Sequence, residues 1–395
     1  MRSIRRPALE RTFDPNFRSD SAVAQLLMPA WLQFNNTGNT DDFDMTAQAP
    51  GFALRSAGNV DQARFEELGP DSVAGIYPGQ RGCSMERAGN NLLANNTKLT
   101  LVQWVPTNVT LDPSPSIDAQ GTLGAYGMVA TAAFPTATFE QAVAAGAVRT
   151  YTVWARQDTI GTIPGGGGFT FSDGPNDGPV ITPDNHWRRY SFTAAAGSLA
   201  FILRLGAGAD PLANIQFCFP QAEDSLYPQS TILTGNTLPA VRPVDRLILD
   251  GATQSEIMGS GFYDIELVFF PKYAGGGRPP AELTSDHNLI WFGALDRVFI
   301  DTSYRLVMKS TGKADLFIGP IVLPRLQPLR VRAKSTPKGR VLSLIQGTGP
   351  ENASSDPALP APALAAPLYL FGSGGSDGAD QSCLAYYVAL HWPVT

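Results

Sequence analysis

Only three histidines, His186, His287 and His391, occur in the 395 residues, and no two stand at the spacing by which a helix presents zinc ligands. Cys83, Cys218 and Cys383 are equally scattered; they read as three buried thiols, with one disulfide compatible with a particle that ends outside the cell. The serines lack a nucleophile elbow: Gly259–Gly261 and Gly372–Gly375 each hold a serine among glycines and suit turns. Gly165 to Gly168 are followed by Phe169 and Phe171, with no Lys-Ser or Lys-Thr pair, so they form a loop or hairpin turn and not a phosphate cradle. Sugar cleavage needs two facing carboxylates, one protonated and one charged. Glu223 with Asp224, Asp264 with Glu266, and Asp286 beside His287 are the local groups of that kind. Asp264 and Glu266 would share one face of a strand by the two-residue repeat, where a solvated sheet uses acidic residues anyway. No catalytic residue, cofactor-binding residue or metal ligand is assigned, and the expected protein is not an enzyme.

Sugar binding needs less machinery, since aromatic faces and a few polar groups suffice. Trp154, Trp187, Tyr190, Tyr227, Trp291 and Trp392 are the candidate saccharide or interface contacts. Most of the six also fit a sandwich core or a subunit interface.

The elements that must position these side chains are strands. With 43% hydrophobic and 16% charged residues, 39 Gly and 32 Pro, the chain has enough apolar surface to fold but interrupts helices throughout. Short β-type sets recur at Thr100, Val102, Trp104 and Val109, at Val148 to Trp154, at Tyr190 and Phe192, and at Phe201 to Leu205. A second group covers Phe262 to Phe269, Leu289 to Phe292, Arg297 to Ile300, Tyr304 to Met308, Ala314 to Ile318, Leu368 to Phe371 and Leu384 to His391, with Pro350 to Pro367 as an extended loop. The expected fold is all-β, with two antiparallel, jelly-roll-like β-sandwich modules behind an irregular N-terminal arm. The expected boundaries are an arm at 1–50, a lead-in segment at 51–95 packed on the first module, modules at 96–235 and 250–395, and a linker at 236–249.

The net charge of −6, from 29 Lys and Arg against 35 Asp and Glu, gives no broad attraction to nucleic acid. No apolar run approaches the roughly 20 residues that span a bilayer, and the opening lacks a secretory signal, so membrane insertion is not expected and synthesis is expected in a cytoplasm. Within the arm, Val23, Leu26, Leu27 and Trp31 recur at helical spacing over Ser21 to Phe34, interrupted by Pro29. With Arg2, Arg5 and Arg6 before them, Leu26, Leu27 and Trp31 form a candidate anchor for docking on another subunit. The alternative is that the arm packs across its own first sandwich.

Three stretches stand in order before the first long strands: Leu54-Arg55-Ser56-Ala57, Ala63-Arg64-Phe65-Glu66, and Gly82 to Leu93, which ends Asn90-Asn91-Leu92-Leu93. In order and spacing they resemble the opening of a family of phage and prophage structural proteins, from which Cys83, Ser84 and Gly89 depart. The resemblance continues through Tyr151 to Arg156 and Trp187-Arg188-Arg189-Tyr190 to an exit signature at Gln221-Ala222-Glu223, Tyr227 to Thr234 and Val241 to Asp245. It implies a carbohydrate-binding-like jelly roll. After Asp245, Tyr263-Asp264-Ile265-Glu266-Leu267 and the last strand resemble a laminin-G or concanavalin-like sandwich. Together these imply a virion structural protein in a tail fibre, baseplate or capsid-surface position. Its implied partners are other virion proteins, further copies of itself as a trimer, and a host-surface glycan. A dedicated saccharide-binding adhesin and a polysaccharide depolymerase are the alternative readings.

Overall fold

The computed structural model describes residues 11–13, 32–35, 65–67, 81–85, 89–146, 148–157, 167–207, 214–225, 228, 231–235, 240–242, 246–249, 251–258, 261–271, 286–293, 296–321, 327–358, 368–371 and 383–391. These residues form antiparallel β-structure with one short helix, Gly251–Met258. Contacts divide them into two compact units, one within 89–242 and one assembled from strands of 11–85 and 246–391. The jelly-roll-like unit is thus an insertion within the sequence of the second sandwich.

In the inserted unit, one sheet runs Arg188–Ala194, Arg149–Gln157, Asn214–Glu223, Leu123–Ala130 and Val109–Leu111, with Ser116–Ile117 added against Leu123–Ala130. The second runs Gly168–Ser172, Ala200–Ala207, Thr138–Ala142 and Val105–Thr107. Alternation along Arg149–Gln157 sends Tyr151, Val153 and Ala155 inward, where they join Phe169, Phe171, Phe201, Leu203 and Phe217 in one buried cluster. Each large side chain so buried contributes about 1.5–3 kcal/mol. Gly168 cannot be replaced here: a Cβ on it would lie 2.7 Å from the Ile181 carbonyl oxygen and 2.8 Å from that of Ala207.

The expected strand over Thr100 to Trp104 is instead a run of turns, closed by Lys98 N–H to Asn95 O, Leu101 N–H to Lys98 O and Trp104 N–H to Leu101 O. That path buries Leu99 and Trp104 at 1% and 3% exposure while leaving Val102 88% exposed. Trp104 stacks on Phe139 at 5.0 Å. The strands begin just after, at Val105–Thr107 and Val109–Leu111.

The other unit is also a pair of sheets. One runs Asn352–Asp356, Gly339–Gln346, Leu329–Thr336, Tyr263–Pro271, Cys383–His391, Arg81–Met85 and Phe65–Glu67, with Arg11–Phe13 also paired to Cys383–His391. The other runs Leu32–Asn35, Arg246–Leu249, Tyr369–Leu370, His287–Trp291, Arg297–Ile300, Leu306–Lys309 and Leu316–Ile318. Tyr263, Ile265, Leu267 and Phe269 alternate inward with Val298, Ile300, Leu306 and Met308 among the buried residues.

This topology corrects several expectations. Arg11–Phe13 pairs with Val388–Leu390, and Leu32–Asn35 pairs with Arg246–Leu249, so the described parts of the arm complete the chain's own second sandwich. The physical reason is that those buried strands would otherwise present unpaired N–H and C=O groups. Leu32–Asn35, at the end of the helix-like stretch, is a strand; Leu26, Leu27 and Trp31 lie outside the described residues. Within the lead-in segment, Phe65–Glu67 and Arg81–Met85 join the second sandwich, and of its described residues only 89–95 belong to the inserted unit. The expected linker supplies Ala240–Arg242 to one unit and Arg246–Leu249 to the other. Asn352–Asp356 falls within the loop expected from Pro350 to Pro367, and the hairpin Leu329–Thr336 with Gly339–Gln346 was not anticipated.

At the edge of that hairpin, Arg340, whose side chain is fully buried, donates to Asp356 Oδ2 at 2.7 Å. The guanidinium, and then the Ala358 N–H, hold the Asp356 carboxyl below the ordinary carboxylate range. A depressed folded-state value means that its contribution is complete above that ordinary range and is lost as pH falls through the lowered value. The difference in melting temperature between the wild type and Asp356→Asn is therefore expected to be largest near neutrality and to vanish in acid. A difference that grows on acidification would contradict the assignment.

Candidate functional site

The acidic groups that could have formed a hydrolytic pair are neutralised in place. Asp264 and Glu266 do share the outer face of Tyr263–Pro271, at 2% and 5% exposure. Arg332 on the adjacent strand donates to both oxygens of Asp264 at 2.8 and 2.9 Å, and Arg330 Nε donates to Glu266 Oε1 at 2.6 Å. Lys334 lies 3.7 Å from Asp264, and His391 Nε2 lies 3.9 Å from Glu266 Oε2. This is a cross-strand ionic ladder that satisfies buried carboxylates. Asp224 likewise accepts from Arg149 Nε at 2.8 Å and from Asn90 Nδ2 at 3.0 Å, and Asp286 accepts from Arg297 at 2.7 Å. Among the described residues no three His, Cys, Asp or Glu side chains converge as a metal site. Cys218 is fully buried, and burial pushes its thiol well up, away from the reactive thiolate. Cys83 pairs with Ala385 and Cys383 with Met85, so the two stand on adjacent strands but not opposite each other.

The six aromatic candidates separate sharply. Trp154 is 1% exposed and donates Nε1–H to Thr231 Oγ1 at 3.2 Å, so it is a core residue and cannot face a ligand. It points to the outer side of its sheet, but a second apolar cluster with Ala119, Ala125, Cys218 and Phe219 covers it there. Trp187 packs on that cluster, and the Arg156 guanidinium lies 4.6 Å from its ring centroid. Arg156 is fixed in turn by Gln216 Oε1 at 2.7 Å. Tyr190 packs on the main core, edge-on to Phe169 at 5.8 Å. Trp154 therefore serves the inserted sandwich itself, while Trp187 and Tyr190 pack on its apolar clusters and stay half-buried. The side chains of Tyr227 and Trp392 lie outside the described residues.

Trp291 differs in having an aromatic partner directly across the strand. It lies on the outer face of the seven-stranded sheet, half-buried next to Leu289 and Ile290, which are both fully buried. Its cross-strand partner Tyr369 is also half-buried, and the two rings meet edge-on at 5.5 Å. On the other flank Trp291 pairs with Arg297, which is held by Asp286 Oδ2 at 2.7 Å and Asn288 Oδ1 at 3.2 Å. The Arg297 guanidinium covers the Phe299 ring at 4.2 Å. The result is a strand-borne surface with two half-buried aromatic rings beside hydrogen-bonding groups, the kinds of group that a sugar's apolar face and hydroxyls require. Tyr369 was not among the sequence candidates; its alternation with the buried Leu368 and Leu370 is the signal that marks it as outward.

The end of the third opening stretch and the exit signature meet in the inserted unit. Asn91, fully buried, donates Nδ2–H to Ile232 O at 3.0 Å and to Pro220 O at 3.5 Å, and accepts at Oδ1 from Leu93 N–H and Ala222 N–H, both at 3.1 Å. Gln221 Oε1 accepts from Ile232 N–H at 2.6 Å, and Asn96 and Thr234 exchange hydrogen bonds at 2.8 and 3.0 Å. Asn91, at the end of the opening stretches, and the exit stretch thus form one polar clasp that closes the jelly-roll-like sandwich.

No family model and no curated protein matches the chain. Among solved structures, the N-terminal CBM22-1–CBM22-2 tandem domain of Paenibacillus barcinonensis Xyn10C is similar at 9% identity and a TM-score of 0.25, with 79% of this chain and 93% of that chain covered. At that score the likeness carries no argument about function, and the all-β sandwich assignment rests on the strand pairings themselves.

Proposed function

We propose that the chain is a non-catalytic, saccharide-binding structural protein of a phage particle, made in the host cytoplasm and carried on the virion in a tail-fibre, baseplate or capsid-surface position. The observation that carries the binding part is the Trp291–Tyr369 ring pair on a sheet face, flanked by Arg297 and Asn288. The virion part is supported by the sequence resemblance, whose opening and exit motifs contain the clasp residues Asn91 and Gln221. Assembly as a trimer belongs to the same reading.

A glycan array probed with the wild-type chain and with Trp291→Ala tests the binding part. Selective binding by the wild type, weakened about fivefold to thirtyfold in the variant, is the expected outcome, since a stacked aromatic contributes on the order of 1–2 kcal/mol. A wild type that binds no glycan, or a variant that binds as well as the wild type, would contradict it. Labelled antibody against the chain, imaged on intact particles, tests the location.

A further inference from the structure

The outward positions around Trp291 form one row across five strands. Register pairs Ile248 with Tyr369, Tyr369 with Trp291, Trp291 with Arg297, and Arg297 with Lys309. All five are half-buried, whereas Leu247, Leu370, Ile290, Val298 and Met308 beside them are fully buried. Four inter-strand steps make the row about 19 Å long, the scale of a short oligosaccharide and not of a monosaccharide.

Its chemistry is polarised. One end is apolar and aromatic, and the other is cationic. Arg297 and Lys309 are directly opposite across two strands, and both lie over the same Phe299 ring, at 4.2 and 5.6 Å from its centroid. Like charges in that register repel each other. Asp286 offsets Arg297 on its far side, but among the described residues no carboxylate lies within ion-pairing distance of Lys309. Phe299, 3% exposed, lies beneath both cations. A negative group above the pair would relieve the repulsion and complete the charge balance.

From this arrangement we infer that the row takes an anionic oligosaccharide lying across the strands, its sugar faces on Tyr369 and Trp291 and its acidic groups at Arg297 and Lys309. This rests on the saccharide-binding reading and specifies its ligand class. Binding is measured by titration with a uronic-acid tetrasaccharide and with the same tetrasaccharide after its carboxylates are reduced to hydroxymethyl groups, using the full chain, Lys309→Met and Trp291→Ala. The acidic form is expected to bind about tenfold more tightly than the reduced form. Lys309→Met is expected to weaken the acidic form about threefold to fivefold without changing the reduced form. Raising the salt should narrow the gap between the two forms. Trp291→Ala should weaken both. Equal affinity for the two forms, or an unchanged acidic affinity in Lys309→Met, would overturn the anionic assignment while leaving a saccharide site at Trp291. Absence of binding to either form, together with a blank glycan array, would overturn the saccharide reading itself.

Discussion

Deletion of residues 1–38 is expected to remove the cooperative unfolding transition of the second sandwich while leaving that of the inserted unit in place. The deleted segment carries three register positions against Val388–Leu390 and four against Arg246–Leu249. Val388, Ala389, Leu390 and Leu247 are fully buried and Leu249 is 1% exposed, so water does not readily replace the lost partners. Each buried backbone group left unpaired costs about 1–3 kcal/mol, and several together approach the roughly 5–15 kcal/mol by which a whole domain is stable. Gly89–Asn91 and Ala240–Arg242, which close the inserted unit, lie outside the deletion. Calorimetry of the full and truncated chains decides the matter. Two transitions collapsing to one is the expected result; two unchanged transitions would show that the N-terminal strands contribute nothing to the second sandwich.

Asn91→Ala is expected to do the reverse, destabilising the inserted unit by about 3–4 kcal/mol with little effect on the other. The side chain satisfies two carbonyls and two N–H groups from three separate stretches, around Leu93, Pro220 to Ala222 and Ile232. Alanine removes this partner from the Leu93 and Ala222 N–H groups and from Pro220 O, at about 1–3 kcal/mol each with partial relaxation, while Ile232 O keeps the Asn96 Nδ2–H at 2.8 Å. Asn91→Asp is expected to be nearly as costly, because a carboxylate accepts but cannot donate to Ile232 O. Chemical denaturation followed by fluorescence measures both. A loss below about 1 kcal/mol in either variant would remove the clasp from the account.

Much of the sandwich character was legible because long strands write their own alternation. Arg297–Ile300 was bounded correctly, and Tyr263, Ile265, Leu267 and Phe269 alternate cleanly with Asp264 and Glu266. The Leu329–Gln346 hairpin carries an equally clear signal, with Leu329, Val331 and Ala333 alternating with Arg330, Arg332 and Lys334, and it was readable in principle. The discontinuity of the second sandwich was not. Arg11–Phe13 and Phe65–Glu67 are three residues long, too short for any period; the first is a strand on an edge supplied by Val388–Leu390, hundreds of positions away, and the second on Arg81–Met85, which itself pairs with Cys383–Ala385. The helix Gly251–Met258 was equally silent; its attachment runs through Gln254 Oε1, which accepts the Leu368 N–H at 3.0 Å.

For the site, residue type gave the candidates and register decided among them. Trp154 and Trp291 are alike in sequence as tryptophans within strands. Trp154 lies beneath Thr231 and its neighbours, whereas Trp291 shares a half-buried row with Tyr369 and Arg297. The coverage of an outward face by a distant segment has no local signature. The same holds for Asp264 and Glu266, whose role depends on Arg330 and Arg332 arriving on the neighbouring strand.

The central claim is that sugar binds on the outer face of the seven-stranded sheet, and a structure of the chain with a bound array-selected oligosaccharide tests it most directly. The account predicts the saccharide along the row from Ile248 to Lys309, with a ring against Trp291 and its acidic groups at Arg297 and Lys309. A saccharide seated anywhere else on the chain, with that row bare, would contradict it.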